Sequence, residues 1–154
     1  MGPGTAITTP VPMPFVASDR PTFLIFDFFE MTYNFSHPKI FSDFLVIYKK
    51  YYSIHKNLPK IFRVTVGEYI MAEIVQCMKI VVMANLKRSQ EDYKQSCSLL
   101  KDLRVRIEIL KAYFLIAWEM KFISHQFFAD INDRLEGVSK EAAGWHNWFE
   151  KSLK

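Results

Sequence analysis

The chain has 154 residues, half of them apolar or aromatic, which is enough for one domain with a sizeable core. Its 20 basic and 16 acidic side chains give a formal net charge of +4. This mild surplus favours acidic partners but does not by itself predict nucleic-acid binding. Cys77 and Cys97 belong to no CxxC or Cys/His pattern, which excludes a disulfide framework and a zinc site.

The N-terminal part of the sequence divides into two segments of different composition. Residues 1–21 are rich in Pro, Gly and Thr, which predicts a disordered leader. Residues 22–35, TFLIFDFFEMTYNF, are dense in aromatic side chains and are expected to pack against the domain or a partner. No signal peptide is recognisable, and the uncharged apolar runs are too short to cross a bilayer. We therefore expect a cytoplasmic protein without a membrane segment.

Residues 36–154 show four stretches of helical periodicity. The first two are predicted over about residues 36–55, with Ser36 as N-cap, and over about residues 60–86. Gly67 within the second indicates a close helix crossing. The predicted stripe of the first helix is Phe41, Phe44, Leu45, Tyr48 and Tyr52, and that of the second is Ile61, Val64, Ile70, Ile74, Met78 and Val81 or Val82.

The strongest helical signal covers about residues 91–121. Its apolar side chains recur at steps of three and four, which predicts a core stripe of Leu99, Leu103, Ile107, Leu110, Phe114 and Ala117. Residues 114–118 are apolar on all sides, which predicts burial from several directions. Ser124 is the expected cap of a last helix over about residues 124–150. Short polar connections predict an all-α, up-and-down antiparallel four-helix bundle. The residues expected to make packing or oligomer contacts are Gly67, Trp118, Gly144, Trp145 and Trp148.

Known enzyme motifs are missing from the sequence. None of the four histidines has a Glu three residues before it, as a di-iron helix bundle requires. There is also no nucleotide-binding loop, no HExxH and no Gly-x-Ser-x-Gly. We therefore expect no catalysis, no metal and no cofactor.

Basic side chains concentrate in the middle of the chain, where residues 58–121 hold eleven Lys or Arg and seven Asp or Glu. Any one of them taken singly is better explained as part of a solvated helix face, and Arg104 is spaced to pair with Glu108. The collective surplus favours binding to phosphates. The candidate contacts are Lys60, Arg63, Lys87, Arg88, Lys94, Lys101, Arg104, Arg106 and Lys111.

Three runs of this sequence resemble landmarks of one family of small bundle proteins: LPKIFRVTVGEYI at 58–70, KFISHQFF at 121–128 and LEGVSKEAAGW at 135–145. The family comprises the accessory variability determinant proteins of diversity-generating retroelements. It also includes relatives encoded in intervening sequences of bacterial large-subunit ribosomal RNA. Pro59 and Arg63 match the family's start of the second helix, and Gly144 and Trp145 match its C-terminal landmark.

The resemblance implies a role without catalysis. Members of the family form homo-pentamers whose basic surface binds nucleic acid, and they associate with a reverse transcriptase that copies template RNA into cDNA. The sequence leaves a second possibility open, a structural or interaction bundle of the ribosomal intervening-sequence type without a reverse transcriptase partner.

Overall fold

A computed structural model describes residues 38–86 and 89–154. The helices are α1 (Lys39–His55), α2 (Lys60–Phe62), α3 (Glu68–Asn85), α4 (Gln90–Glu119) and α5 (His125–Ser152). A π-helical turn, Arg63–Gly67, joins α2 to α3, so the two run as one continuous helix. The described part of the chain is thus an all-α four-helix bundle, as predicted. The predicted leader, the aromatic segment 22–35 and the Ser36 cap lie outside the described residues.

Each helix packs against two neighbours in a closed ring, α1 with α3 and α5, and α4 with α3 and α5. Ion pairs join Lys39 to Glu141 and Lys50 to Asp130 across α1 and α5. Residue numbers therefore rise along one helix while they fall along the other, which makes the pair antiparallel. In the contacts between α3 and α4 and between α4 and α5, residue numbers also rise along one helix and fall along the other, so these pairs are antiparallel too. The up-and-down topology is confirmed.

The core is formed by one stripe from each long helix. In α4 the predicted stripe is confirmed from Leu103 to Ala117, whereas Leu99 is only partly buried and Leu100 takes the inward position. Ser124 caps α5 as predicted, because its Oγ accepts a hydrogen bond from the Phe127 amide at 3.1 Å. The buried apolar residues of α5 are Ile131, Leu135, Val138, Ala142 and Phe149.

The predicted core stripe of α1 is wrong for two residues. Leu45 is exposed and Tyr52 is 63% exposed, while Ile47 and Tyr51 are fully buried. Two apolar stripes lie side by side on α1, and periodicity alone does not tell which faces inward. The outer stripe lies along the boundary between α1 and α3.

The predicted stripe of the second helix is also wrong near its start. Ile61 is 71% exposed and Val64 is exposed, whereas Phe62 and Ile70 are buried. The π-helical turn contains one residue more than an α-helical turn. The side chains before it therefore point in a different direction relative to α3 than they would in an uninterrupted α-helix. Beyond this turn the expected positions Ile70 and Ile74 are buried.

Burial of the C-terminal half of α4 from several directions is a wrong prediction. Leu115 and Ile116 are exposed, because a four-helix ring covers only the inward side of each helix and no further described element packs outside α4. Among the described residues, no helix has both the length and the apolar character needed to span a bilayer.

Of the five residues expected to make packing or oligomer contacts, three pack within the bundle and two lie on its surface. A Cβ at Gly67 would lie 2.8 Å from the Tyr51 hydroxyl, Trp118 stacks at 4.9 Å on an aromatic neighbour, and Trp145 packs partly buried against the core. Gly144 is exposed with nothing within 4 Å of a Cβ built on it. Trp148 is 53% exposed, because its position on α5 points outward and only the edge of its ring meets other aromatic side chains.

Candidate nucleic-acid interface

The structure does not bring the nine predicted phosphate contacts into one patch. Two of them lie at the end of the bundle where α1 connects to α2, three lie on the outward side of α4, and two face neighbouring helices. Lys87 and Arg88 lie outside the described residues. Lys60 and Arg63 are the two at the end of the bundle. Lys94, Lys101 and Arg104 are the three on the outward side of α4, and Arg106 and Lys111 face neighbouring helices.

Arg106 is paired with two carboxylates, which disfavours its predicted role as a phosphate contact. Its Nη1 donates to Glu73 of α3 at 2.6 Å, and its Nε donates to Asp102 at 3.0 Å. The hydrogen bond to Asp102 raises the pKa of the guanidinium, and the charge of Glu73 adds to this effect. Arg106 therefore holds α4 against α3, and its Nε and Nη1 donors are already engaged by carboxylates.

Lys111 is likewise neutralised by carboxylates. Its Nζ donates to Glu136 of α5 at 2.6 Å and to Glu108 at 2.9 Å. Partial burial lowers the pKa of Lys111, but these two hydrogen bonds outweigh that effect and raise the pKa above its ordinary value. The expected pairing of Arg104 with Glu108 is wrong, because Glu108 binds Lys111 instead.

The outward side of α4 carries a stripe of unpaired cations. Lys94, Lys101 and Arg104 are exposed and form no hydrogen bond or ion pair within the described ranges. Lys94 and Arg104 are ten positions apart in sequence, which corresponds to about 15 Å along the helix axis. We call these three residues the α4 stripe; its cations are less concentrated than those of a second cationic surface at one end of the bundle.

The other cationic surface lies at the end of the bundle formed by the α1–α2 and α4–α5 connections. Residues 44–67 contain no Asp or Glu, and neither do residues 120–129. Phe62 and Phe122 meet edge to face with ring centroids 5.3 Å apart, which places the two connections side by side. The side chains Lys56, Lys60, Arg63 and Lys121, here called the cationic end, make no ion pair within the described ranges.

The π-helical turn holds Arg63 at this end. Gly67 allows the turn to approach α1 closely, and Tyr51 shares a hydrogen bond of 3.0 Å with His55 beneath it. Thr65 donates its hydroxyl hydrogen to the Ile61 carbonyl at 2.6 Å, which satisfies a backbone oxygen where the α-helical ladder is disturbed. Burial raises the pKa of Tyr51, so its hydroxyl keeps its proton.

The side chain of Arg63 has a buried hydrogen-bond donor without an acceptor, which costs free energy. Its Nε is buried and donates to no acceptor in the described part of the chain. An unsatisfied buried donor costs about 1–3 kcal/mol, and local violations of this kind are typical of functional positions. The guanidinium as a whole remains partly exposed.

Lys121 also occupies a strained position. Helix α4 ends in a Schellman motif, with the Phe122 amide donating to Ala117 and the Lys121 amide donating to Trp118, both at 2.9 Å. The residue at this point adopts φ 63°, a left-handed conformation that normally selects glycine. A lysine is held here at a backbone cost of about 1–2 kcal/mol.

Sequence reasoning missed Lys56 and Lys121, and it did not foresee that Arg106 and Lys111 are paired with carboxylates. Counting cations within a window does not distinguish paired from unpaired side chains. The two acid-free segments, 44–67 and 120–129, are visible in the sequence and would have identified this end of the bundle.

The described residues contain no group of three His, Cys, Asp or Glu side chains arranged to hold a metal ion. Burial raises the pKa of Cys77 to about 12, so its thiol stays protonated inside the core. No protein-family model, curated protein or solved structure matches this chain. The fold therefore defines the class of the protein as a four-helix bundle with a cationic end. The resemblance to the accessory proteins of diversity-generating retroelements stays a prediction.

Proposed function

We propose that this protein is a non-catalytic nucleic-acid-binding subunit whose cationic end contacts the phosphate backbone. The observation that carries the proposal is that the Phe62–Phe122 contact places two connections side by side, and that these acid-free segments, 44–67 and 120–129, bear Lys56, Lys60, Arg63 and Lys121. Each phosphate neutralised by such a side chain releases condensed counterions, which gives salt-sensitive and largely sequence-independent affinity. The nearest acids along the chain, Glu68 and Glu119, bound the region on either side.

Exposed aromatic rings next to the cations favour single-stranded ligands. Tyr52 is highly exposed, lies one turn before Lys56 on α1, and stacks on Tyr48 with ring centroids 6.1 Å apart. His125 is exposed at the start of α5 and packs against Trp118. Unpaired bases stack on such rings, whereas the bases of a duplex are already stacked on each other.

The partners in this proposal come from the family resemblance. They are a reverse transcriptase and its template RNA, with the protein assembled as a homo-pentamer that places five cationic ends on one particle. Sedimentation should then give a mass near five times the 18.1 kDa of the chain. A reverse transcriptase gene beside the gene for this protein, and co-purification of the two products, would support this assignment.

The binding test uses fluorescence anisotropy with a labelled single-stranded RNA of about 16 nucleotides. We expect affinity to fall with salt by about 0.7 log units per phosphate contact for each tenfold increase in salt. A triple variant, Lys56→Glu, Lys60→Glu and Lys121→Glu, should lower affinity at least about tenfold and flatten this salt dependence. Circular dichroism should show unchanged helix content.

A matched triple variant on the α4 stripe separates location from net charge. Lys94→Glu, Lys101→Glu and Arg104→Glu change the charge of the chain by the same amount and should weaken binding less. A larger loss in this variant would place the interface on α4. Absence of binding by the parent protein even at low salt would overturn nucleic-acid binding altogether.

The second candidate function is a structural or interaction bundle of the ribosomal intervening-sequence type. The exposed apolar side chains along α1 and α3, among them Leu45, Tyr52 and Val75, favour it. In that case the charge serves solubility, and neither triple variant would change any affinity for RNA.

A further inference from the structure

An apolar groove runs along the outer boundary of α1 and α3, away from the cationic end. Leu45 and Tyr48 form one wall, and Val75, Met78 and Val82 form the other. Its volume is about 380 Å³, and within the described residues it is open on its outer side. Val75 is 49% exposed, which is costly for a β-branched apolar side chain unless something covers it.

The rim of this groove is basic. Lys79 contributes to the groove itself, and Lys49 follows Leu45 by one helical turn on the same side of α1. The carboxylates nearest in sequence point elsewhere, because Asp43 binds Lys39 toward α5 and Glu73 binds Arg106 toward α4. Glu68 is the acid on this outer side of α3, two turns from Val75.

We propose that the groove binds an amphipathic helix of a partner protein, with apolar side chains at i, i+3 or i+4 and i+7 and with acidic side chains flanking this stripe. A groove between two antiparallel helices accepts a third helix along its length, as in other helix-in-groove complexes. The acidic flanks would meet Lys49 and Lys79, which fixes the charge of the partner and favours one register.

Two other occupants fit the groove less well. A small ligand needs a few convergent polar groups for orientation, and the lining offers only the Lys79 ammonium and the Tyr48 hydroxyl beside apolar side chains. A second copy of this chain, placed face to face, would bring the basic rims of two grooves together, and such like-charge contacts are unfavourable.

The test uses the full-length protein and a designed, labelled helical peptide of about 18 residues with a Leu stripe flanked by Glu. We expect saturable binding in fluorescence anisotropy, weakened at least about tenfold by Val75→Glu. The control is Val105→Glu on α4, where the valine is 58% exposed and lies outside the lining of the groove. This control should leave the affinity unchanged.

Charge reversal tests the rim. Lys49→Glu with Lys79→Glu should abolish binding of the Glu-flanked peptide and allow binding of a matched peptide flanked by Lys. Equal affinity of both peptides for the parent protein would overturn the proposal, as would no binding at all. Concentration-dependent dimerisation that Val75→Glu removes would assign the groove to a second copy instead. Binding of RNA at the cationic end is independent of every one of these results.

Discussion

Gly67 and Tyr51 are in contact so close that no side chain fits between them. A Cβ on Gly67 would lie 2.8 Å from the Tyr51 hydroxyl oxygen, 3.1 Å from the His55 ring and 3.1 Å from the Phe62 carbonyl. One of these neighbours is backbone, and the tyrosine is fully buried, so neither moves away cheaply. The π-helical turn, and the position of Arg63 on it, depend on this contact.

We expect Gly67→Ala to lower the free energy of unfolding by about 1–3 kcal/mol, because it overpacks this site. Urea denaturation followed by circular dichroism measures the loss. Gly144→Ala is the matched control, since nothing lies within 4 Å of a Cβ there and alanine is the better helix former. It should stabilise the protein by about 0.5–1 kcal/mol. A neutral Gly67→Ala variant would contradict the close approach of α1 to the turn.

The two helix faces that were predicted wrongly share one physical cause. On α1, the stripe through Tyr48 and Tyr52 and the stripe through Ile47 and Tyr51 are equally apolar, so hydropathy does not say which faces the core. In the second helix, the π-helical turn shifts the register by a residue, and no local signal other than Gly67 marks it. Periodicity predicts that a helix forms; the direction of its core face also depends on its neighbours.

Arg106 is expected to contribute to stability and not to nucleic-acid binding. Replacing it in Arg106→Gln leaves Glu73, which is only 15% exposed, without its cationic partner. The expected loss is about 1–3 kcal/mol of unfolding free energy. Arg104→Gln, two residues away and exposed, should change stability by less than about 0.5 kcal/mol.

Anisotropy with single-stranded RNA completes this comparison. The Arg106→Gln variant should bind RNA with parental affinity, because in the parent protein the Arg106 guanidinium is already bound by Glu73 and Asp102. A variant of unchanged stability that loses RNA affinity would show that Arg106 leaves its carboxylates to bind phosphate.

Asp130 should make stability depend on pH in the acid range. A hydrogen bond from Lys50 lowers the pKa of Asp130, although partial burial opposes the shift, and Arg134 adds to the lowering. Since the folded-state pKa lies below the unfolded value of about 3.9, the stabilisation is complete above that value. It is lost as the pH falls through the folded-state pKa.

Asp130→Asn should therefore be less stable than the parent at neutral pH by about 0.5 kcal/mol, the scale of a partly exposed ion pair. The difference should shrink once the pH falls below about 3.9, and it should close as the pH passes through the lowered folded-state pKa and the parent carboxylate is protonated too. Urea titrations at several pH values measure it. Asp133→Asn, which removes an exposed acid that forms no ion pair in the described ranges, is the control. A gap that stays constant with pH would contradict the Lys50 contact.

The cationic end shows how much of the candidate site the sequence contains. Lys60 and Arg63 were selected from a local surplus of charge, and their position at the start of the second helix follows from Pro59. Lys121 lies 58 residues beyond Arg63 along the chain, and only the antiparallel packing of α4 beside α2 brings the two to one end. Proximity of this kind is a property of topology, and it becomes visible in a sequence only after the helices are paired.

Lys121→Gly should stabilise the protein and weaken its binding to RNA at the same time. Glycine adopts φ 63° without strain, so the Schellman motif should gain about 0.5–1 kcal/mol after allowance for the greater freedom of glycine in the unfolded chain. The same change removes one phosphate contact, which should reduce the salt slope by about 0.7. Because the variant is more stable than the parent, unfolding cannot explain a loss of affinity.

Two further variants separate the backbone from the charge. Lys121→Arg keeps the cation and should keep both the affinity and the salt slope, while Lys121→Asn tolerates the left-handed conformation and should lose affinity as glycine does. Thermal denaturation and anisotropy on the same samples give both quantities. Parental affinity in the glycine variant would remove Lys121 from the interface, and a loss of stability would contradict the helix ending that positions it. The expected combination, higher stability with weaker binding, would mean that a lysine is kept at a strained position for the ligand it contacts.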